Sequence, residues 1–98
     1  MLKKSYTKTG RTCRVTFKLP AETAAETALL CGEFTDWEAR AKPMKLLKSG
    51  EFSLTLSLPV SQSYRFRYLL DGERWENDCQ ADGYMPNGFG SEDSLIKL

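Results

Sequence analysis

Strict alternation of apolar and polar residues limits the folds open to this chain more than any other feature. Phe52, Leu54, Leu56 and Leu58 alternate with Ser53, Thr55 and Ser57 until Pro59 ends the run. Cys13, Val15, Phe17 and Leu19 share one parity, with Arg14, Thr16 and Lys18 on the other, closed by Pro20. Tyr64, Phe66, Tyr68 and Leu70 alternate with Arg65, Arg67 and Leu69 up to the turn pair Asp71-Gly72. A period of two sends successive side chains to opposite faces, so each run reads as a strand with one face on a core. Further short strands are expected at Ala28–Gly32, among Met44, Leu46 and Leu47, at Arg74–Glu76 and at Ser94–Leu98. The stretch Ala21–Ala28 is read as a loop because Pro20 precedes it, and Asn77–Gly90 as a loop because it is rich in Asn, Asp, Gly and Pro. About seven short strands separated by turn signals, with no long helix, predict an all-β, two-sheet antiparallel sandwich of immunoglobulin-like type.

A chain of 98 residues makes one domain. The expected division is a flexible basic N-terminus over 1–10 and the β-sandwich over 11–98. The net charge of +1 leaves no overall field that would direct the protein to nucleic acid or to a membrane. The charge is uneven along the chain. Residues 1–49 hold ten Lys/Arg and five Asp/Glu, and residues 50–98 hold four and eight. Lys3, Lys4, Lys8, Arg11 and Arg14 open the sequence with no acid among them. A nucleic-acid arm would need interleaved aromatics, which are missing, so a solvated terminus is the expectation. No run of about 20 apolar residues suggests a membrane helix. Cys13, Cys31 and Cys79 are odd in number and lack C-x-x-C spacing, which fits reduced thiols in a cytoplasm. With no histidine in the chain, zinc would want for ligands, and no cofactor is expected. The initiating Met1 and the end at Leu98 suggest a free-standing small protein.

Two indoles fall outside the apolar runs. Trp37 ends Cys31-Gly32-Glu33-Phe34-Thr35-Asp36-Trp37, and Trp75 follows Asp71-Gly72-Glu73-Arg74. Either ring can be read as a plug that seats a loop on the core. The other reading is recognition, since a flat apolar face with one N–H suits a ligand such as a sugar ring, with C–H faces and outward hydroxyls. Alternation puts Arg67 on the outer face of the strand that leads to Trp75, and its planar fork of N–H donors suits hydroxyl acceptors. Phe89, between Gly88 and Gly90, does not belong to a regular strand and is expected at a loop tip, as a presented side chain or as a second plug.

The string Leu30-Cys31-Gly32-Glu33-Phe34-Thr35-Asp36-Trp37 resembles the L-x-G-x-F-N-x-W signature of family 48 carbohydrate-binding modules. That family includes the glycogen-binding domain of the AMP-activated protein kinase beta subunit and the N-terminal domains of branching enzymes and isoamylases. Tyr64-Arg65-Phe66-Arg67-Tyr68-Leu69-Leu70-Asp71-Gly72-Glu73-Arg74-Trp75-Glu76-Asn77-Asp78 is similar to the family's Y-x-F-x-V-D-G-x-W-x-x-D. Gly88-Phe89-Gly90-Ser91-Glu92-Asp93-Ser94-Leu95-Ile96 is similar to its G-x-x-N-N-x-I closing strand. The resemblance covers about residues 11–98 and implies an early-set immunoglobulin-like fold. It further implies that Trp37 and Trp75 stack on glucose rings, that Arg67 stands where the family has a lysine that bonds hydroxyls, and that Phe89 inserts against a curved glucan. Ser91 matches a hydroxyl residue, and Asp93 stands where the family has a hydroxyl-bonding asparagine. The chain departs from the family pattern in three ways. Arg67 replaces lysine, Asp93 replaces asparagine, and the turn before Trp75 is one residue longer. The first two together would allow an Arg67–Asp93 salt bridge.

An enzyme needs a nucleophile or an acid–base pair. Asp71, Glu73, Asp78 and Asp82 are the carboxylates a glycosidase would recruit, but they sit in turns, where side-chain caps of backbone N–H groups are the commoner role. Cys79 has no base partner. The expected function is therefore non-catalytic binding of alpha-1,4-linked glucan such as glycogen, starch or maltooligosaccharide. The alternative is a protein-interaction or regulatory domain that docks on a glycogen-metabolising enzyme or kinase, such as an accessory domain of a glycoside hydrolase family 13 type enzyme. Neither reading calls for nucleic acid or membrane as a partner.

Overall fold

The computed structural model describes residues 2–23, 25–88 and 90–98. Its strands are β1 (Leu2–Tyr6), β2 (Thr12–Leu19), β3 (Ala28–Gly32), β4 (Lys42–Pro43), β5 (Lys45–Leu46), β6 (Phe52–Pro59), β7 (Ser63–Leu70), β8 (Arg74–Glu76), β9 (Gly83–Pro86) and β10 (Glu92–Lys97). One sheet runs β1-β2-β6-β5. The other runs β4-β3-β7-β10-β9, with β8 also paired to β7. The two sheets form an all-β early-set sandwich with antiparallel pairing in every ladder. Among the described residues no helix is long and apolar enough to cross a membrane.

The three alternating runs of the sequence form β2, β6 and β7, and their apolar parity faces the core. Val15, Phe17, Phe66 and Tyr68 are fully buried, together with Leu30 of β3 and Ile96 of β10. The aromatic rings meet edge-on, Phe17 against Phe66 at 5.2 Å and Phe66 against Tyr68 at 5.7 Å, the arrangement that the ring quadrupoles favour. A phenol in such a core needs an acceptor, and the Tyr68 hydroxyl donates to Asp78 Oδ2 at 2.8 Å. Burial and then the nearby Asp78 carboxylate push the Tyr68 phenol well above its ordinary range.

Three elements depart from the sequence reading, each for a tertiary reason. Residues 2–6 of the basic N-terminal stretch form β1, an edge strand on β2, instead of a solvated arm. Lys4 lies opposite Val15 and so faces inward. Its ammonium donates to Asp82 Oδ2 at 2.6 Å and to the Lys97 carbonyl at 3.0 Å, both in the other half of the sandwich. An inward lysine on an edge strand also discourages a further strand from pairing there. Second, the expected strand around Met44 is two: β4 pairs with β3 and β5 with β6, so the chain changes sheets at Met44. The buried Met44 side chain seals that crossing. Third, β9 lies within the stretch read as loop. Gly83-Tyr84-Met85-Pro86 lacks alternation because it is an edge strand with little of it buried.

Candidate functional site

The site lies on the outer face of the β4-β3-β7-β10-β9 sheet, where one edge of β7 changes neighbour. Over Tyr68–Leu70 that edge pairs with β8, and over Ser63–Phe66 it pairs with β10. Arg67 sits at the switch between the two, and across the opposite edge of β7 it pairs with Cys31 of β3. Side chains that leave β8 and β10 toward the outer face therefore flank Arg67, and this places Trp75 on one side and Asp93 on the other.

Trp75 is delivered by a hairpin with a three-residue connection. Leu70 pairs with Arg74 and Leu69 with Trp75, leaving Asp71, Gly72 and Glu73 in the turn. Asp71 and Gly72 both have left-handed backbone, φ 53° and 73°, a conformation tolerated by Asp and natural to Gly. The additional turn residue noted in the sequence is absorbed there, and Trp75 keeps the parity of Leu69 and Arg67. Leu69 points outward but is only 6% exposed, as expected of a side chain directly across from an indole. The guanidinium carbon of Arg67 stands 5.6 Å from the Trp75 ring centroid, within cation–π range and worth about 0.5–2 kcal/mol. Asp71 steadies the hairpin: its Oδ1 accepts from the backbone N–H groups of Glu26 and Thr27 at 2.8 and 3.0 Å. These bonds, that to Thr27 first, hold its carboxyl below the usual carboxylate range.

Trp37 reaches the same face by a strained route. Asp36 and Trp37 each have φ 53°, and for a bulky residue this is a genuine outlier costing on the order of 1–3 kcal/mol. The buried Thr35 over-determines the turn. Its Oγ1 accepts from the Gly32 N–H at 2.9 Å and shares its one proton between the carbonyls of Trp37 at 2.9 Å and Gly32 at 3.0 Å. The plug of this loop is Phe34, whose ring meets Phe17 and Tyr64, each at 5.8 Å. Trp37 is thereby left for the outer surface. Gly32 is required for a different reason: a Cβ there would come 2.7 Å from the Arg65 carbonyl oxygen. The Glu33 carboxylate extends the β3–β7 ladder by accepting from the Arg65 N–H at 2.7 Å.

Trp37, Glu38, Arg67, Trp75, Asn87 and Asp93 line one pocket of about 500 Å³. Four of these, Trp37, Arg67, Trp75 and Asp93, are residues the sequence singles out. Ser91 does not join them: it lines a second, more open concavity with Tyr84, Pro86 and Glu92, on the far side of Asn87. Phe89 lies outside the described residues. Glu38 and Asn87 are the wall residues that sequence reasoning missed. Glu38 had a signal in its place directly after Trp37, whereas Asn87 had none beyond its loop composition.

The expected Arg67–Asp93 salt bridge is replaced by another pairing. Asp93 is 5% exposed; its Oδ1 accepts from Asn87 Nδ2 at 3.1 Å, and its Oδ2 lies 3.9 Å from Arg65 Nη1. Asn87 Oδ1 in turn accepts from the Ser91 N–H at 3.2 Å, so its amide orientation is set from both ends. Arg67 makes no ion pair among the described residues, and its buried Nε has no hydrogen-bond partner. Beneath the site Cys31 is fully buried, and burial, then the Glu38 carboxylate, pushes its thiol up to about 11.

Three of the four carboxylates considered for catalysis, Asp71, Asp78 and Asp82, are engaged in the fold, and Glu73 lies exposed in the turn before Trp75. Asp78 is 1% exposed and accepts from Tyr68 and from the Gln80 N–H, and Asp82 holds Lys4 and the Lys97 N–H. Among the described residues no group of His, Cys, Asp and Glu is placed to hold a metal ion. What remains at the surface is a shallow pocket with indoles at its sides, a guanidinium on its floor and an amide at its wall, an arrangement suited to binding. No curated protein matches the chain. Carbohydrate-binding module 48 (isoamylase N-terminal domain) matches residues 5–85, which takes in the Trp37 loop, Arg67 and the Trp75 hairpin; the chain belongs to this family of non-catalytic, glucan-binding modules.

Proposed function

We propose that the pocket binds a short stretch of alpha-1,4-linked glucan, as found in glycogen, starch and maltooligosaccharides. Trp37 and Trp75 stack on the C–H faces of successive glucose rings, and Arg67 donates to their hydroxyls. Asn87 closes the polar wall, with Asp93 holding its amide in one orientation. The observation that carries this reading is the joint presence of both indoles and Arg67 around one pocket of about 500 Å³ on an outer sheet face. The Arg67–Trp75 contact also supports it, because a guanidinium held over an indole is preorganised as a donor. A shallow, open site of this kind corresponds to dissociation constants on the order of micromolar to millimolar.

The test is titration with maltoheptaose, followed by tryptophan fluorescence and by calorimetry, with xylohexaose as the control sugar. A saturable fluorescence change and a binding heat with maltoheptaose are the expected outcome. The double variant Trp37→Ala/Trp75→Ala should lose the binding heat. Absence of any response in the unaltered protein, or an undiminished heat in the folded double variant, refutes the reading.

A further inference from the structure

The charge of this domain is sorted by sheet. The β1-β2-β6-β5 sheet with its own turns, residues 2–19 and 45–59, carries Lys3, Lys4, Lys8, Arg11, Arg14, Lys18, Lys45 and Lys48 against one carboxylate, Glu51. The rest of the chain holds six cations and twelve carboxylates. A net charge of +1 thus conceals a strongly basic side and a strongly acidic one, and the sugar pocket lies on the acidic side.

The strand register shows how the basic side is built. Core-facing parity in β2 and β6 belongs to Val15, Phe17 and Phe52, so the outer face carries the other parity. Its rows read Ser5–Arg14–Ser57, then Lys3–Thr16–Thr55, then Lys18–Ser53–Lys45. Every position in these rows is a cation or a hydroxyl. Among the described residues Lys3, Arg14 and Lys45 form no ion pair. Lysines on edge strands guard against stray pairing, which accounts for Lys3 on β1 and Lys45 on β5. It does not account for Arg14 and Lys18 on the central strand β2.

We infer that this outer face is a docking surface for an acidic surface of a partner protein, on the opposite side of the sandwich from the sugar pocket. Complementary charge is the warrant, and the details favour carboxylates over phosphates or bases. A strand face offers no free backbone N–H groups, and this one holds one guanidinium where phosphate recognition draws on several forks or a helix terminus. Its three rows also have no aromatic on which a nucleobase would stack. Strand spacings give the face about 15 by 25 Å, roughly half of what a standard interface covers on each partner. The contact is therefore reversible and salt-sensitive. The inference does not depend on the sugar reading, because the two faces share no residue.

The probe is a fluorescein-labelled peptide of ten glutamates, followed by anisotropy at low salt. The protein is expected to bind it saturably and to release it at about 0.5 M NaCl, where the Debye length falls to a few Å. Lys3→Gln/Arg14→Gln/Lys45→Gln is expected to weaken binding about tenfold or more, with unfolding midpoint and maltoheptaose response unchanged. Should the triple variant lose its fold, Lys3→Gln/Lys45→Gln on the exposed edge strands carries the same expectation with a smaller loss. No binding by the unaltered protein, equal binding by the folded variants, or competition between maltoheptaose and the peptide overturns the inference. Tighter binding of a thymidine 20-mer through the same three residues also overturns it, in favour of nucleic acid.

Discussion

Removing one oxygen atom from the core, Tyr68→Phe, tests the link between the Trp75 hairpin and the sandwich. Tyr68 is fully buried, and its hydroxyl donates at 2.8 Å to the buried Asp78 carboxylate. Phenylalanine fills the same space, so no cavity is created and the cost isolates the hydrogen bond. A bond to a charged acceptor contributes about 1.5–3 kcal/mol, and the acceptor left behind stays buried. Asp78 retains the Gln80 N–H on its other oxygen, at 2.8 Å, which sets the expectation at about 2 kcal/mol. Against a total stability of roughly 5–15 kcal/mol for a domain of this size, that is a large fraction. It corresponds to a fall in Tm of about 8–16 °C, at about 4–8 °C per kcal/mol. Urea unfolding followed by tryptophan fluorescence at pH 7 measures it, with an unchanged m-value required. A double-mutant cycle with Asp78→Asn should return a coupling of about 1 kcal/mol or more. A loss below about 0.5 kcal/mol, or a coupling near zero, refutes the claim that this pair anchors the segment after Trp75 to β7.

Other perturbations separate site from scaffold. Arg67→Ala should weaken maltoheptaose binding about tenfold while costing about 0.5–2 kcal/mol by urea unfolding, the worth of the cation–π contact it removes; an unaltered binding curve counts against Arg67 as a donor. Gly32→Ala drives a methyl group into the Arg65 carbonyl and should cost about 1–3 kcal/mol by urea unfolding, with maltoheptaose binding weakened as well because the Trp37 loop begins there. Burial acts to raise the Asp82 carboxyl, but the Lys4 ammonium and the Lys97 N–H outweigh it and hold it below the usual range. Its contribution is thus present above the unfolded carboxylate pKa of about 3.9 and is lost as pH falls through the lower folded value. Lys4→Ala should cost about 1 kcal/mol at pH 7, with the gap to the unaltered protein closing as pH falls below about 4; a gap constant with pH contradicts the assignment. With Cys13 and Cys31 buried and Cys79 exposed, one thiol should react rapidly with a disulfide reagent at pH 8, and Cys79→Ser should abolish that phase.

Residue order alone determined the strands whose two faces differ. In β2, β6 and β7 the alternation separates core from solvent at nearly every position, and the same parity placed Arg67 outward on the strand that leads to Trp75. The signal failed where burial is slight or the strand is short: β1 and β9 are edge strands with little of them buried, and the β4–β5 crossing, two residues on each side, turns on Met44. Both indoles of the pocket stood out in the sequence because they fall outside the apolar runs, whereas Asn87 sits in a loop whose composition gave no hint of its neighbours. Tertiary structure alone decided which residues meet across strands. β8 pairs with β7 over Tyr68–Leu70 and β10 pairs with it over Ser63–Phe66, so Arg67 falls at the junction. Asp93 meets Arg65 and Asn87 there instead of Arg67. Period-two patterning reports the face a side chain takes, whereas its partners depend on ladder register between strands distant in sequence, which no local pattern encodes.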